Sequence, residues 1–294
     1  MTLGEPRRLI GLDYLEAITS LLQRTRAAHP TAGLYEAADL QWWWRAGRTT
    51  DSTPQLVWFD PDDRPEAAAS LTDWGEQVAL NPMVLPDAPP PQVAEVVERG
   101  LDHARSAGFD AIGVEADRAD DGLRRLLTDH GLVEGDDAFV EAWMAVEARP
   151  APSPLADGYR LRRRSETLDR PSHLIRRNQT DVAARLAQTS LYRPDLDLLI
   201  VDPSDTVAAY GLFWFDPTTA TGLVEPMRTE EDHQRRGLAR HVLTAGLDAL
   251  AGAGAERIKI CFGHDNPPAR DLYLSVGFEP TRETVEFSGR LAGD

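Results

Sequence analysis

Apolar and polar positions change their period several times along this chain. Short runs rich in β-branched and aromatic residues read as strands: PQLVWF (54–59), AAASLTDW (67–74), QVALNPMV (77–84), LDLLIV (196–201), TVAAYGLFWF (206–215) and TGLVEPM (221–227). Helical spacing takes over in LDYLEAITSLLQ (12–23) and NQTDVAARLAQ (178–188). Val242, Leu243, Leu247 and Leu250 predict a helix over 235–252, with a counterpart over roughly 91–107. The order is helices, antiparallel-type strands, helix, strand, helix, strand. That order predicts an α/β fold, a mixed sheet flanked by helices.

The same order occurs twice. Gly100-Leu101-Asp102 and Gly246-Leu247-Asp248 lie 146 positions apart, as do Ala107-Gly108 and Ala253-Gly254, and Gly131 and Gly277. Upstream, Asp60-Pro61 mirrors Asp202-Pro203, Trp74 mirrors Trp214, and Pro82-Met83 mirrors Pro226-Met227. A collinear series of this kind marks two copies of one unit. ARPAPSPLADG (148–158) has no periodic apolar pattern and reads as the joint. Two domains are therefore expected, 1–148 and 158–294.

Composition narrows the partners. With 42% hydrophobic and 27% charged residues the chain has the make-up of a soluble globular protein. No apolar run approaches a membrane span and none resembles a secretory leader, so a cytoplasmic protein without a membrane partner is expected. The net charge of −17 argues against nucleic acid and is compatible with cationic substrates. The one cysteine, Cys261, excludes an internal disulfide and argues against a thiolate metal site; no metal is expected. Lys259 is the chain's single lysine, and this arginine bias suits a GC-rich bacterial gene.

The copies differ most between their fourth strand and the helix that follows. In the second copy, TGLVEPM leads through Arg228-Thr229 to Gln234-Arg235-Arg236-Gly237-Leu238-Ala239-Arg240. A loop ending at a helix start can present several backbone N–H groups to one anion, and glycine lets a phosphate approach the main chain. Arg235 and Arg236 add guanidinium groups that fork onto phosphate oxygens. The first copy has Pro86-Asp87-Ala88-Pro89-Pro90-Pro91 instead. Three consecutive prolines have no N–H to donate, so this copy is read as degenerate and structural.

With Asn266-Pro-Pro-Ala269-Arg-Asp-Leu272-Tyr273-Leu-Ser-Val-Gly277-Phe278 added, the second copy resembles the GNAT superfamily of acyl-CoA-dependent N-acyltransferases. That family carries Gln/Arg-x-x-Gly-x-Gly/Ala after its fourth strand and Asn-x-x-Ala-x-x-Leu-Tyr-x-x-x-Gly-Phe further on. The match covers roughly 158–288, with the degenerate copy over about 5–147. The tandem layout is similar to the double-domain branch that contains mycothiol synthase, although no motif specifies that substrate. The resemblance implies an acetyltransferase with acetyl-CoA as co-substrate, one active site in the C-terminal domain, and direct transfer to the amine of a small molecule. It implies a pyrophosphate loop at Gln234, Arg235, Arg236, Gly237, Leu238, Ala239 and Arg240. Met227, Arg228 and Thr229 would line the acetyl-pantetheine tunnel, a backbone N–H near Met227 would face the oxyanion, and Asn266 would contact the cofactor.

The same resemblance makes Tyr273 the general acid; its counterpart in the first copy is Leu127. Glu225 is the first choice of general base, with His264 second. Each residue has a plainer reading beside the chemical one. Tyr273 suits aromatic packing on the Gly277-Phe278 turn, Glu225 a strand carboxylate that orients substrate, His264 a loop position, and Asn266 a helix start. Cys261 reads as a buried packing residue rather than a nucleophile. Arg160 to Arg177 reads as a solvated basic face or an aid to the nucleotide phosphate, and Trp42-Trp43-Trp44 as packing or a substrate platform. The rival to an enzyme is a catalytically silent CoA-binding or scaffold protein. The choice between monomer and homodimer stays open.

Overall fold

The computed structural model describes residues 3–291. Through the first repeat the elements are β1 (Arg7–Leu9), α1 (Gly11–Ala28), α2 (Ala37–Trp43), β2 (Gln55–Phe59), β3 (Pro65–Asp73), β4 (Val78–Val84), α3 (Pro90–Ser106), β5 (Ala111–Asp117), α4 (Asp121–Asp129) and β6 (Val133–Ala145). The second repeat follows with β7 (Arg160–Arg163), α5 (Val182–Leu186), β8 (Asp197–Val201), β9 (Val207–Asp216), β10 (Thr221–Thr229), α6 (Leu238–Ala253), β11 (Arg257–Gly263), α7 (Pro267–Ser275) and β12 (Glu279–Arg290). Every apolar run named above contributes a strand. The helical stretch 178–188 shrinks to the five residues of α5.

The chain forms two compact units, and their limits differ from the expected 1–148 and 158–294. Unit 1 takes residues up to Leu40, Gly47–Phe139 and the residues from Arg282 onward; unit 2 takes Gln41–Ala46 and Val140–Thr281. The final strand of each repeat thus runs into the other repeat's unit. In unit 1 the strand order is β1-β2-β3-β4-β5-β12, where β12 pairs antiparallel with β5 from Thr284↔Asp117 to Arg290↔Ala111. In unit 2 the order is β6-β11-β10-β9-β8-β7. Sequence reading assigned β6 to the first domain and β12 to the second, because alternation identifies a strand but not the sheet edge it completes.

The repeat is visible down to its turns. The β2–β3 and β8–β9 hairpins each place an aspartate with positive φ at the turn, Asp63 (63°) and Asp205 (67°). In each, an aspartate three residues earlier folds its carboxylate onto the turn's own N–H groups. Asp60 accepts from Asp62 and Arg64, and Asp202 from Ser204 and Thr206.

In unit 2, Val242, Leu243, Leu247 and Leu250 of α6 are fully buried on Phe213, Phe215, Val224, Ile258 and Ile260. Gly246 sits on the same stripe because the Phe213 ring occupies the room a side chain would need: a Cβ there would fall 2.0 Å from Phe213 Cζ. Gly246→Ala is therefore expected to destabilise the protein by about 2 kcal/mol or more through overpacking. Urea unfolding checks this, and adding Phe213→Leu should recover part of the loss.

In both units the parallel strand pair opens into a V. The β10–β11 register stops at Val224↔Ile260, and the β4–β5 register covers only Val78↔Ile112 and Ala79↔Gly113. Beyond these points the inner strands lose each other, which leaves a cleft at the carboxyl end of the parallel pair.

Candidate active site

The mouth of the unit 2 cleft begins where β10 departs from regular pairing. Its register against β9 shifts between Val224 and Met227, across a cis Glu225–Pro226 bond. Trp214 of β9 donates its Nε1–H to the Glu225 carbonyl at 2.7 Å. Trp214 is itself held between Trp42 and Tyr192, with ring centroids 6.4 and 6.0 Å away. Of the tryptophan run, Trp42 is thus a buried packing residue of unit 2, with the Arg45 guanidinium 4.0 Å over its ring. This aromatic wall fixes the backbone at the point where the strands part.

Met227, Arg228 and Thr229 follow on the diverging strand. Met227 packs on the α6 side, and its sulfur lies 3.1 Å from where a Cβ on Gly211 would be. Arg228 Nε and Thr229 Oγ1 are buried and lack a hydrogen-bond partner in the protein. Buried polar atoms left in this way mark a place for an external polar group.

The loop after β10 is anchored at both ends. Glu230 is bound by Arg177 at 2.7 Å and by Arg176 at 3.5 Å, and the Arg177 hydrogen bond holds its carboxyl below the usual range. His233 Nδ1 lies 2.9 Å from the Tyr159 hydroxyl. Between these anchors and α6 the backbone takes left-handed conformations at Arg235 (φ 59°) and Gly237 (φ 78°). Gly237 precedes α6 without any side-chain cap, and the space where its Cβ would lie is empty. The first-turn N–H groups of α6 have no intrahelical acceptor, and left-handed residues beside them shape a concave anion site. Gln234, Arg235 and Arg236 are exposed, Ala239 is half-buried, and Leu238 is buried in the core. Arg240 turns away to Ser275 Oγ at 2.8 Å, so it ties α6 to the end of α7.

Tyr273 of α7 is 8% exposed and lies between Phe262 and Phe278, with centroids 5.9 and 6.4 Å away. Burial pushes its phenol up to about 12, and the proximity of Cys261 and Glu225 adds to the shift. The packing and chemical readings of Tyr273 are therefore compatible: the ring packs while the hydroxyl shares its surroundings with Glu225. Cys261 is exposed, contrary to the buried role expected of it. On β11, Ile258, Ile260 and Phe262 point to the core, and Cys261 belongs to the opposite face with Arg257 and Lys259. Asn266 is the N-cap of α7, its side-chain oxygen accepting from Ala269 N at 3.3 Å. His264 lies exposed beyond β11.

In the Arg160–Arg177 stretch, Arg160, Arg163, Arg170, Arg176 and Arg177 are exposed, as a solvated face requires, and most of them are ion-paired. Arg160, Arg162 and Arg170 converge on Asp205. Arg164 is buried on the carbonyls of Thr167 and Arg170, and Arg176 and Arg177 serve Glu230.

Sequence reasoning missed two polar clusters. Lys259 and Glu141 form a buried ion pair at 3.1 Å, with Trp143 Nε1 donating to Glu141 at 2.8 Å. Beside β8, the carboxylate of Asp197 lies 3.3 Å from His173 Nε2 and accepts from the Tyr192 hydroxyl at 2.7 Å. Both side chains of that His–Asp pair are at most 3% exposed. Polar residues inside otherwise apolar segments were the available signal.

Among the described residues no group of three or more His, Cys, Asp or Glu side chains is placed to hold a metal ion. No helix among them is long and apolar enough to cross a membrane.

Residues 159–278 match the model of the acetyltransferase (GNAT) family. A mycothiol acetyltransferase of Beutenbergia cavernae is 28% identical over 153 residues, which cover 52% of this chain and 46% of that protein. One of Clavibacter michiganensis subsp. michiganensis is 27% identical over 162 residues, 51% of each chain. The matched part thus spans about half the length of these curated relatives. Among solved structures, a tandem GNAT protein from the clavulanic acid biosynthesis pathway has a TM-score of 0.70 at 13% identity, covering 99% of both chains. A GCN5-related N-acetyltransferase from Sphaerobacter thermophilus has a TM-score of 0.64 at 14% identity, covering 98% of this chain and 96% of that one. At such identities the likeness is one of fold. The chain thus has the fold of solved tandem GNAT proteins, and its residues 159–278 match the GNAT acetyltransferase family model.

Proposed function

We propose that the protein is an N-acetyltransferase that moves the acetyl group of acetyl-CoA directly to a primary amine of a small molecule, in the cleft between β10 and β11. The observation that carries this reading is the convergence at one strand opening of an uncapped helix start, two orphaned polar atoms and a desolvated tyrosine beside a carboxylate. Backbone N–H groups from Arg235 to Ala239 hold the pyrophosphate, and Arg235 and Arg236 supply charge around it. Gln234 and Leu238 frame that loop, Arg240 fixes it through α7, and Asn266 acts on the site by starting α7. Met227, Arg228 and Thr229 line the path of the pantetheine arm.

Glu225 takes a proton from the acceptor ammonium through water. The amine nitrogen then attacks the thioester carbon, a C–N bond forms and the C–S bond breaks. An N–H near Met227 faces the developing oxyanion. Tyr273 gives its proton to the departing sulfur and regains one from the reacting nitrogen. The name of the curated relatives, mycothiol acetyltransferase, supports a small-molecule acceptor, and the acidic chain favours a cationic one or an amino sugar. We place the reaction in the cytoplasm, without metal, nucleic acid or membrane.

The test is thiol release from acetyl-CoA with a panel of small amines. Gly237→Val has room for its side chain but not for its φ. It is expected to raise the KM for acetyl-CoA at least about tenfold, with kcat changed less. Thiol release absent with every amine, while acetyl-CoA still binds, would favour a silent CoA-binding protein instead.

A further inference from the structure

The strand that opens the unit 2 cleft sends its side chains to two faces. Met227 of β10 packs with the core beneath α6. By the alternation of a strand, the Arg228 side chain belongs to the opposite face, while its main chain borders the path assigned to pantetheine. Across from Arg228 on β9 is Tyr210, which lies outside that core and meets the His173 ring edge-on, with centroids 4.9 Å apart. The short turn His173–Arg177 therefore lies over this face. It also brings Arg176 and Arg177 to Glu230, just past the end of β10.

Charge on this face is not balanced. Arg176 and Arg177 share Glu230, and the exposed Glu231 is near enough to act on Arg177. Arg228 is a third guanidinium, close enough to Glu230 and to the Tyr210 hydroxyl to influence both. Yet it takes part in no ion pair among the described residues, and its buried Nε has no hydrogen-bond partner. A half-buried guanidinium in this state favours an anion that supplies the missing acceptors. Its planar fork fits a carboxylate. The pyrophosphate of acetyl-CoA is not that anion, because the loop assigned to it sits at the start of α6, which covers the other face of β10.

We infer that Arg228 is the specificity residue of the acceptor site and holds a carboxylate that the acceptor carries beside its reacting amine, a narrowing that rests on the acetyltransferase reading of this cleft. The acceptor is then an amino acid. Its ammonium suits the acidic chain, and its carboxylate suits Arg228. The spacing agrees. Arg228 directly follows Met227, where the oxyanion-facing N–H is assigned, and consecutive Cα atoms are about 3.8 Å apart. A carboxylate on its guanidinium thus lies within one small molecule's length of the attacked carbonyl.

The test measures thiol release from acetyl-CoA by the full chain with glycine, β-alanine, 4-aminobutyrate, leucine and phenylalanine, each paired with the amine left when its carboxylate is removed. At least one amino acid should exceed its paired amine in kcat/KM by about tenfold or more, mostly through KM. In Arg228→Met that ratio should fall to about one, and in Arg228→Lys, which keeps the charge without the fork, to an intermediate value. A ratio near or below one for every pair, with the amines turned over, would overturn the carboxylate site and leave the acetyltransferase reading standing. A ratio unchanged in Arg228→Met would do the same. Thiol release absent with every acceptor would count against the acetyltransferase reading instead. Calorimetry of the same amino acids with the CoA-loaded protein would then decide the site: binding lost in Arg228→Met supports it, and no binding, or binding indifferent to the variant, overturns it. If Arg228→Met does not fold, as judged by its thermal melt, Arg228→Lys decides, an unchanged ratio or affinity overturning the site.

Discussion

Tyr273→Phe is expected to lower kcat for acetyl transfer by about 10²-fold or more, with the KM for acetyl-CoA changed less than about twofold. The split follows from what the substitution removes. Phenylalanine keeps the ring between Phe262 and Phe278, so the core and the loop at 234–240 are left as they were. Only the hydroxyl beside Glu225 is lost, and with it the proton for the departing sulfur. Because burial holds the phenol at about 12, the parent enzyme should keep its acid protonated through pH 10. Any decline of rate below that pH then belongs to another group. Steady-state kinetics and a pH profile check both statements. Unchanged turnover in Tyr273→Phe would sink the general-acid role and leave the tyrosine a packing residue.

Asp197→Asn and His173→Phe are expected to change the slope of the stability–pH curve in opposite directions relative to the parent. Burial pushes the Asp197 carboxyl up to about 7, partly offset by the Tyr192 hydrogen bond and by Arg164. Burial, aided by Arg164, pushes the His173 imidazole down to about 4. Alone, a carboxyl raised in this way contributes most below its ordinary value of 3.8 and loses stability as pH rises from there to about 7. Alone, a depressed imidazole contributes fully above 6.5 and loses stability as pH falls toward 4. Between about pH 4 and 6.5 the two slopes cancel, because folded and unfolded chains each keep one proton on the pair. Asp197→Asn should expose the rising slope and His173→Phe the falling one, each approaching ~1.4 kcal/mol per pH unit. Urea unfolding at pH 4.5, 5.5 and 6.5 distinguishes them. Parallel curves for the two variants would refute the coupling.

Much of the architecture was legible because it depends on local chemistry. The strand runs, the paired turns at Asp60 and Asp202, and the contrast between Gly237 and the Pro89–Pro91 run can each be read within a few residues. Tyr273 became a candidate through the family resemblance and Glu225 through its place on the strand two residues before Met227, and both lie near one strand opening. What stayed hidden depends on distant partners. The parity of Ile258, Ile260 and Phe262 already placed Cys261 on the other face of β11, but only the packed sheet shows that face to be exposed there. The pairing of Arg160, Arg162 and Arg170 with Asp205, and of Arg176 and Arg177 with Glu230, was hidden because those carboxylates are far along the chain. The buried pairs Lys259–Glu141 and His173–Asp197 join segments that no short window contains.

The exchange of β6 and β12 has a consequence for how such a gene can change. A cut within 149–157 separates β12 from β5, and β6 with its Glu141 from β11 and Lys259. Each fragment would bear an open sheet edge and one half of a strand exchange, with the second fragment also retaining a buried lysine without its carboxylate. The fragments are expected to be insoluble when expressed singly and to reconstitute a folded protein when expressed together, as gel filtration of the two cases would show. Loss of either half is therefore closed to this protein, although division into two co-expressed halves is not. The first repeat carries Pro89–Pro91 where the second has Gly237, yet it cannot be discarded, since unit 2 is finished by its last strand.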